Sequence, residues 1–246
     1  MGRESGEKFE GRAGPFRNVD NDTLSMREPV AIGWSGGKDS ALTLHALRGD
    51  PSIRVTALLT TVTDPYDRVS MHGVRRTLLA SQAAAVGLPL SEAHIPAGAS
   101  NAVYEAAFGA VLADQRSRGV NRVAFGDLFL ADIRAYRERQ LAALSMTGLF
   151  PLWERDTHEL AREFISLGFK ATLVCVDPRR LDASFAGRSF DADLLDDLPP
   201  DVDPCGENGE FHTFVTDGPI FATPVACTRG VVVHREGFLF CDLIPS

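Results

Sequence analysis

Apolar positions along this chain fall into two alternating patterns. Short β-branched or Leu-rich runs at 29–34, 53–61, 90–95 and 122–125 have the length and composition of buried strands. Between them, stretches at 39–47, 74–86, 101–118 and 133–146 repeat apolar residues three and four apart, the period of an amphipathic helix. Gly87 with Pro89, and Gly119, supply stop signals for two of these helices. Asp39 or Ser40 is the expected N-cap of the first. Residues 64–67, Asp-Pro-Tyr-Asp, read as a turn or mobile loop. Strands alternating with helices through short loops predict a parallel α/β sheet with right-handed crossovers. In such a sheet a ligand lies at the carboxyl ends of the strands. The loop after the first strand, Thr60-Thr61 after the second and Gly126-Asp127 after the fourth therefore converge on one crevice.

The pattern changes near residue 148. A helix over 157–167 and a strand over 171–176 are followed by an acidic, loop-like stretch at 179–201 with short helical turns near 190–198. Strand-like runs at 211–215 and 231–240, with Gly237 at a turn, complete a smaller α+β unit. Three segments are expected: a disordered tail at 1–28, a first domain at 29–147 and a substrate-side domain at 148–246. The tail is polar and Gly-rich without an apolar signal-peptide core, and Met26 is an alternative start.

The first strand runs directly into Ser35-Gly36-Gly37-Lys38-Asp39-Ser40 and then into a helix. Two adjacent glycines can take positive φ and let backbone N–H groups approach an anion closely. The helix N-terminus adds unpaired N–H groups and a dipole that favours negative charge. Ser35 and Ser40 contribute hydroxyls and Lys38 a point charge, so the segment reads as an oligophosphate cradle. A Walker A loop is excluded, because Gly37-Lys38 is followed by Asp39. The Gly-rich dinucleotide fingerprint is excluded as well, because Gly33 is followed by Trp34-Ser35.

Composition narrows the partners. The net charge is −8, and Lys occurs only at Lys8, Lys38 and Lys170, which argues against general nucleic-acid binding. The four cysteines form neither a C-x-x-C pair nor a zinc-spaced cluster, which suggests a reducing compartment, expected to be cytoplasmic, and no structural metal. No apolar run reaches membrane-spanning length. On the helix at 133–146, Arg134, Tyr136, Arg137, Glu138 and Arg139 form a charged face that serves either solvation or phosphate binding.

A second stretch, Asp203-Pro-Cys-Gly-Glu-Asn-Gly-Glu-Phe-His-Thr-Phe214, carries further chemistry. Glycines at Gly206 and Gly209 let the loop bring Glu207 and Asn208 close to a ligand. Glu210 and His212 are two apart on an entering strand and are expected to share a face. Carboxylates there can hold magnesium or position an amine, and His212 can bond substrate or move a proton. The alternative is a solvated acidic loop with a structural histidine. His72 follows the second strand's loop and either faces the crevice or is structural. Cys205 has no base nearby in sequence, which favours packing over nucleophilic attack.

The Ser-Gly-Gly-Lys-Asp-Ser loop resembles the PP-loop of the ATP pyrophosphatases. Gly206-Glu207, Gly209-Glu210, Phe211 and Thr213 resemble the element that accompanies that loop in the diphthine–ammonia ligase family. Met71-His72-Gly73-Val74-Arg75 and Val176-Asp177-Pro178 are similar to the same relatives, so the resemblance runs from about residue 29 to the C-terminus. His212 stands where other members can carry an acid, and this version looks closer to the bacterial group.

The resemblance implies a Rossmann-like, adenine-nucleotide α-hydrolase-like domain followed by a family-specific C-terminal domain. It implies ATP with Mg2+, activation of a carboxylate as an acyl-adenylate, and its amidation by ammonia with release of AMP and pyrophosphate. On that reading Ser35 to Ser40, Thr60, Thr61, Gly126 and Asp127 bind nucleotide. Lys38, Asp39, Glu207, Glu210 and His212 are catalytic, and Asp39 is either a metal ligand or a plain helix cap. His72, Gly206, Asn208, Gly209 and Thr213 lie on the substrate side. The acceptor is an unspecified carboxylate on a small molecule or a protein; a bacterial source would favour a small molecule. Competing readings are a tRNA-modifying PP-loop enzyme and a non-catalytic adenine-nucleotide sensor. The apolar C-terminal strands can pack internally or across a homodimer.

Overall fold

The computed structural model describes residues 27–70 and 72–246. The expected tail, except for its last two residues, and Met71 lie outside the described residues. Glu28 already belongs to the first strand, β1 (Glu28–Gly33), which lies between β2 (Ile53–Thr63) and β5 (Arg122–Ala124). β4 (Leu90–Ile95) flanks β2, and β6 (Thr147–Leu149) flanks β5. These five strands are parallel; a short β3 (Arg68–Val69) pairs antiparallel with the end of β2. The chain builds outward from β1 on one side and then crosses to the other, so the order reverses between β1 and β5. Ligand crevices of open α/β sheets form at such a switch point.

Both faces of β1 are buried, which explains its unbroken apolar run. Val30 and Ile32 enter one core, whereas Ala31 enters the other. The second core also holds Phe108 of α3 (Asn101–Ser117) and Leu141 of α4 (Ala131–Ala142). The first core contains residues of α1 (Lys38–Gly49) and α2 (Arg76–Val86). It continues into a second, antiparallel sheet ordered β8-β7-β10-β9. That sheet comprises β7 (Lys170–Val176), β8 (Phe211–Asp217), β9 (Cys227–Arg235) and β10 (Phe238–Pro245). Helices α5 (Thr157–Ser166) and α6 (Ala192–Asp197) complete this half. Phe164, Phe169, Phe211 and Phe214 share a core with Ile32 and Trp34, so the halves are packed together by continuous apolar burial.

Several boundaries depart from the sequence pattern. α1 starts at Lys38 with Gly37 as its N-cap, in an extended conformation and without a side-chain cap. Asp39 and Ser40 both lie in the first turn: Asp39 accepts from Lys38 Nζ, and Ser40 Oγ donates to Gly37 O at 2.9 Å. α2 starts at Arg76, after Arg75 as an extended N-cap, and the Val74 carbonyl accepts from Val69 N at 2.8 Å. Residues 64–66 form a 3-10 turn. α4 ends at Ala142, where Ser145 turns left-handed and Met146 N returns to Leu141 O. The expected boundary at residue 148 falls inside β6, a Thr-Gly-Leu strand formed by pairing with β5 rather than by local propensity. The C-terminal strands divide in their exposure. β10 buries Cys241 and Leu243, whereas β9 is an edge strand exposing Val231, Val232 and Val233.

Candidate functional site

The loop at the carboxyl end of β1 depends on a left-handed turn. Gly36 has φ of 80°, and a Cβ there would stand 2.7 Å from Gln82 Oε1 and 2.9 Å from Leu79. Buried Gln82 accepts from Trp34 Nε1 at 3.0 Å and donates to Gly36 O at 3.0 Å and Val215 O at 2.5 Å. It thereby ties the loop to both flanking strands. Sequence reasoning missed Gln82; its only signal is a polar residue among Leu78, Leu79 and Ala83 on the apolar side of α2.

The second signature lands on this loop. β8 runs alongside it, with Val215 N donating to Gly36 O at 2.9 Å and Lys38 N donating to Thr213 Oγ1 at 3.0 Å. Gly37 N donates to Ser35 Oγ at 3.2 Å, and Ser35 and Ser40 hydroxyls are 3.4 Å apart. On the opposite side, a Cβ on Gly126 would stand 2.9 Å from the Asp39 carbonyl carbon and oxygen. Gly126 is therefore a packing requirement of the β5 loop against the start of α1. Gly126→Ala should force these backbones apart at about 1–3 kcal/mol. A denaturant titration should show that loss, with activity falling because Asp39 moves.

Lys38 is the buried centre of charge, 2% exposed, with Nζ 2.7 and 2.8 Å from the two Asp39 carboxylate oxygens. Burial pulls its pKa down, but Asp39, Cys205 and Glu207 outweigh burial and hold the ammonium above its ordinary value. Burial also lifts the Asp39 carboxyl, against the pull of Lys38. Glu207 is pushed up to about 7, first by burial and then by the Asp39 carboxylate. Its Oε1 accepts from Leu128 N at 3.1 Å, which fastens the second signature to the loop after β5.

Asp203 organises the same turn, its Oδ1 accepting from Cys205 N at 2.8 Å and Glu207 N at 3.3 Å. Gly206 makes the turn possible, with φ of 69° and no room for a Cβ against Phe211 O at 2.7 Å. Gly209 is also left-handed, and Asn208 is exposed. Burial lifts the Cys205 thiol to about 12, and its Sγ donates to Thr157 O, which fits a packing role.

Two histidines close one side. His72 and His212 pack with ring centroids 4.4 Å apart. Burial, aided by nearby Lys38, lowers His72 to about 4 and His212 well below its ordinary value, so both are neutral at pH 7. Glu210 behaves differently from the expected shared face. It precedes β8, and its Oε1 turns back to accept from Asp203 N at 3.2 Å and Asn208 Nδ2 at 3.1 Å. It is 1% exposed, and its Oε2 is a buried polar side-chain atom without a partner among the described residues. Oε1 of Glu210 is thus bonded within the turn that carries Glu207.

Other expected contributors bond elsewhere. Thr60 is buried, and Thr61 O accepts from Ser70 N at 3.1 Å; among the described residues neither bonds to 35–40. Asp127 is paired with Arg137 at 2.6 and 3.2 Å, and Arg137 lies 4.4 Å over the Phe125 ring. Arg134 sits over Phe150 and Trp153 while paired with Glu138. On the charged face of α4, Arg134 thus pairs within the helix and Arg137 with the preceding loop.

The donor set fits a polyphosphate: an N-terminus lacking a side-chain cap, a buried ammonium and two hydroxyls beside glycines whose Cβ positions are filled. Among the described residues, no three His, Cys, Asp or Glu groups form a metal-binding cluster.

Residues 28–146 match the family model "Diphthamide synthase N-terminal domain", and residues 156–239 match "Diphthamide synthase C-terminal domain". The diphthine–ammonia ligase of Schizosaccharomyces pombe is 30% identical over 121 residues, 47% of this chain and 20% of that protein. The human diphthine–ammonia ligase is 30% identical over 120 residues, 46% of this chain and 45% of that protein. The match thus spans less than half of each relative's length. Each family stretch contributes one of the two signatures that meet at Lys38, and the chain belongs to the diphthamide synthase family, related to the diphthine–ammonia ligases.

Proposed function

We propose that this protein is an ATP-dependent ligase that adenylates a carboxylate and amidates it with ammonia, releasing AMP and pyrophosphate. The observation that carries this reading is the hydrogen bond from Lys38 N to Thr213 Oγ1, which joins the phosphate loop and the family-specific element in one site. ATP bound there would supply the adenylyl group and a pyrophosphate leaving group. Lys38 is placed to neutralise charge that grows on the departing phosphates, in a site where burial strengthens the attraction. Asp39 holds Lys38 in place and offers an oxygen to Mg2+. Glu207, poised near 7, can take a proton from an incoming ammonium ion and release it to solvent. Neutral His72 and His212 offer hydrogen bonds without adding positive charge that would repel ammonium. Glu210 and Asn208 keep the Glu207 turn in shape. The acceptor carboxylate would enter beside the 203–209 turn, and both a small molecule and a protein side chain satisfy this chemistry.

The test combines the protein with ATP, Mg2+, ammonium and a pool of carboxylate metabolites, and scores the nucleotide products. AMP with pyrophosphate, dependent on the pool, is expected. ADP with phosphate would overturn the assignment. Bound ATP without turnover would favour a nucleotide sensor, and tRNA binding at moderate salt would favour the tRNA-modifying branch.

A further inference from the structure

His72 lies between Val69 and Val74, both of which are buried in the first core. Hydrogen bonds tie the described residues around it: Ser70 N donates to Thr61 O, His72 N to Ser70 O, Gly73 N to Val69 O and Val69 N to Val74 O. The outer surface of this segment is covered by β10, which belongs to the other sheet. Asp242 Oδ1 accepts from Arg68 Nη1 at 2.9 Å and Arg75 Nε at 3.1 Å, and Oδ2 accepts from Arg75 Nη2 at 2.6 Å. Arg68 Nη1 also donates to Gly73 O at 2.6 Å. Two residues earlier on β10, Phe240 fills the space of a Gly73 Cβ, which would stand 2.5 Å from its ring. The Asp242 side chain is 13% exposed, so its charge-assisted bonds are partly shielded from water.

We propose that Asp242 is a positioning residue: by clamping Arg68 and Arg75 it holds the 68–75 segment so that His72 packs on His212 beside Lys38. The clamp crosses between the two sheets, and Asp242 lies beyond residues 156–239 of the family match. It matters for catalysis only if the ligase reading above holds, but its geometry can be tested separately. Without the carboxylate, Arg68 and Arg75 would face each other as like charges across their β-bridge.

The experiment uses the full chain with Asp242→Ala, Asp242→Asn and Asp242→Glu, and Asp197→Ala at the remote Arg188 pair as control. Amide hydrogen exchange over 68–75 and titration of the His72 ring by nitrogen NMR are read alongside AMP formation. Asp242→Ala should raise exchange over 69–74 at least tenfold and move the His72 midpoint from about 4 toward its ordinary 6.5, with kcat falling. Asp242→Asn should lie between, Asp242→Glu should restore protection, and the control should change nothing. Unchanged exchange and titration in folded Asp242→Ala would overturn the proposal. If that variant does not fold, Arg75→Ala, at a 41% exposed side chain, carries the same test. Loss of protection in a protein without ligase activity would sink the ligase reading and leave the clamp standing.

Discussion

Lys38→Met should reduce pyrophosphate formation about 10²- to 10³-fold, the loss seen when one preorganised electrostatic contact is removed from a transition state. Methionine keeps the buried stem and removes only the charge. Lys38 is 2% exposed and has Asp39 against Nζ at 2.7 Å, so no mobile surface cation can replace it. The fold should survive. Asp39 keeps a 31% exposed side chain, and water can satisfy its carboxylate after the ammonium is gone. The stability loss is therefore expected to be about 1–3 kcal/mol. Quantifying AMP and pyrophosphate per folded protein, with folding followed by circular dichroism, checks both halves. Full retained activity would remove Lys38 from the site.

Glu207→Gln should have opposite effects on activity and stability. The wild-type carboxyl is held up to about 7 against an ordinary 4.5, chiefly by burial. A folded pKa above the unfolded one means that the native state binds the proton more tightly. The resulting stability is fully present below about 4.5 and is lost as pH rises through about 7. Glutamine stays neutral and can still accept from Leu128 N through its carbonyl oxygen. The variant should thus be more stable than wild type above pH 7, by at most about 3 kcal/mol before solvent screening is allowed for, and similar below pH 4.5. Amide formation should fall about 10²- to 10⁴-fold, the range for a lost general base. The wild-type rate should rise with pH through about 7, and that limb should vanish in the variant. Denaturant unfolding at several pH values, paired with the pH–rate profile, measures both. Equal stabilities at pH 8 would show that Glu207 ionises without cost.

The two halves of the site differed in how far they could be read from sequence. The loop at 35–40 was legible as a strand-to-helix turn because its requirements are local: an apolar strand, two glycines and a helix start occupy consecutive positions. The contact that completes it was not, because Thr213 and Lys38 are 175 residues apart and nothing in their spacing records that β8 lies along the loop. Gly126 was legible as a loop glycine but not as the space that the Asp39 backbone needs. Glu210 was legible as an acid beside the second signature, but not its bonds to Asp203 N and Asn208 Nδ2, which depend on how the turn folds back. β3 and β6 gave no signal because strands of two and three residues exist only through their neighbours. Gln82 and Asp242 illustrate the same limit, since a wholly or partly buried polar residue acquires its role from partners that only the fold supplies.

The central claim is that a carboxylate is adenylated at Lys38. Its most direct test is exchange of labelled pyrophosphate into ATP, with Mg2+ and the carboxylate pool but without ammonium. Label should enter ATP only when the pool is present, and Lys38→Met should abolish the exchange. Release of ADP and phosphate without exchange, or exchange undiminished in Lys38→Met, would contradict the account.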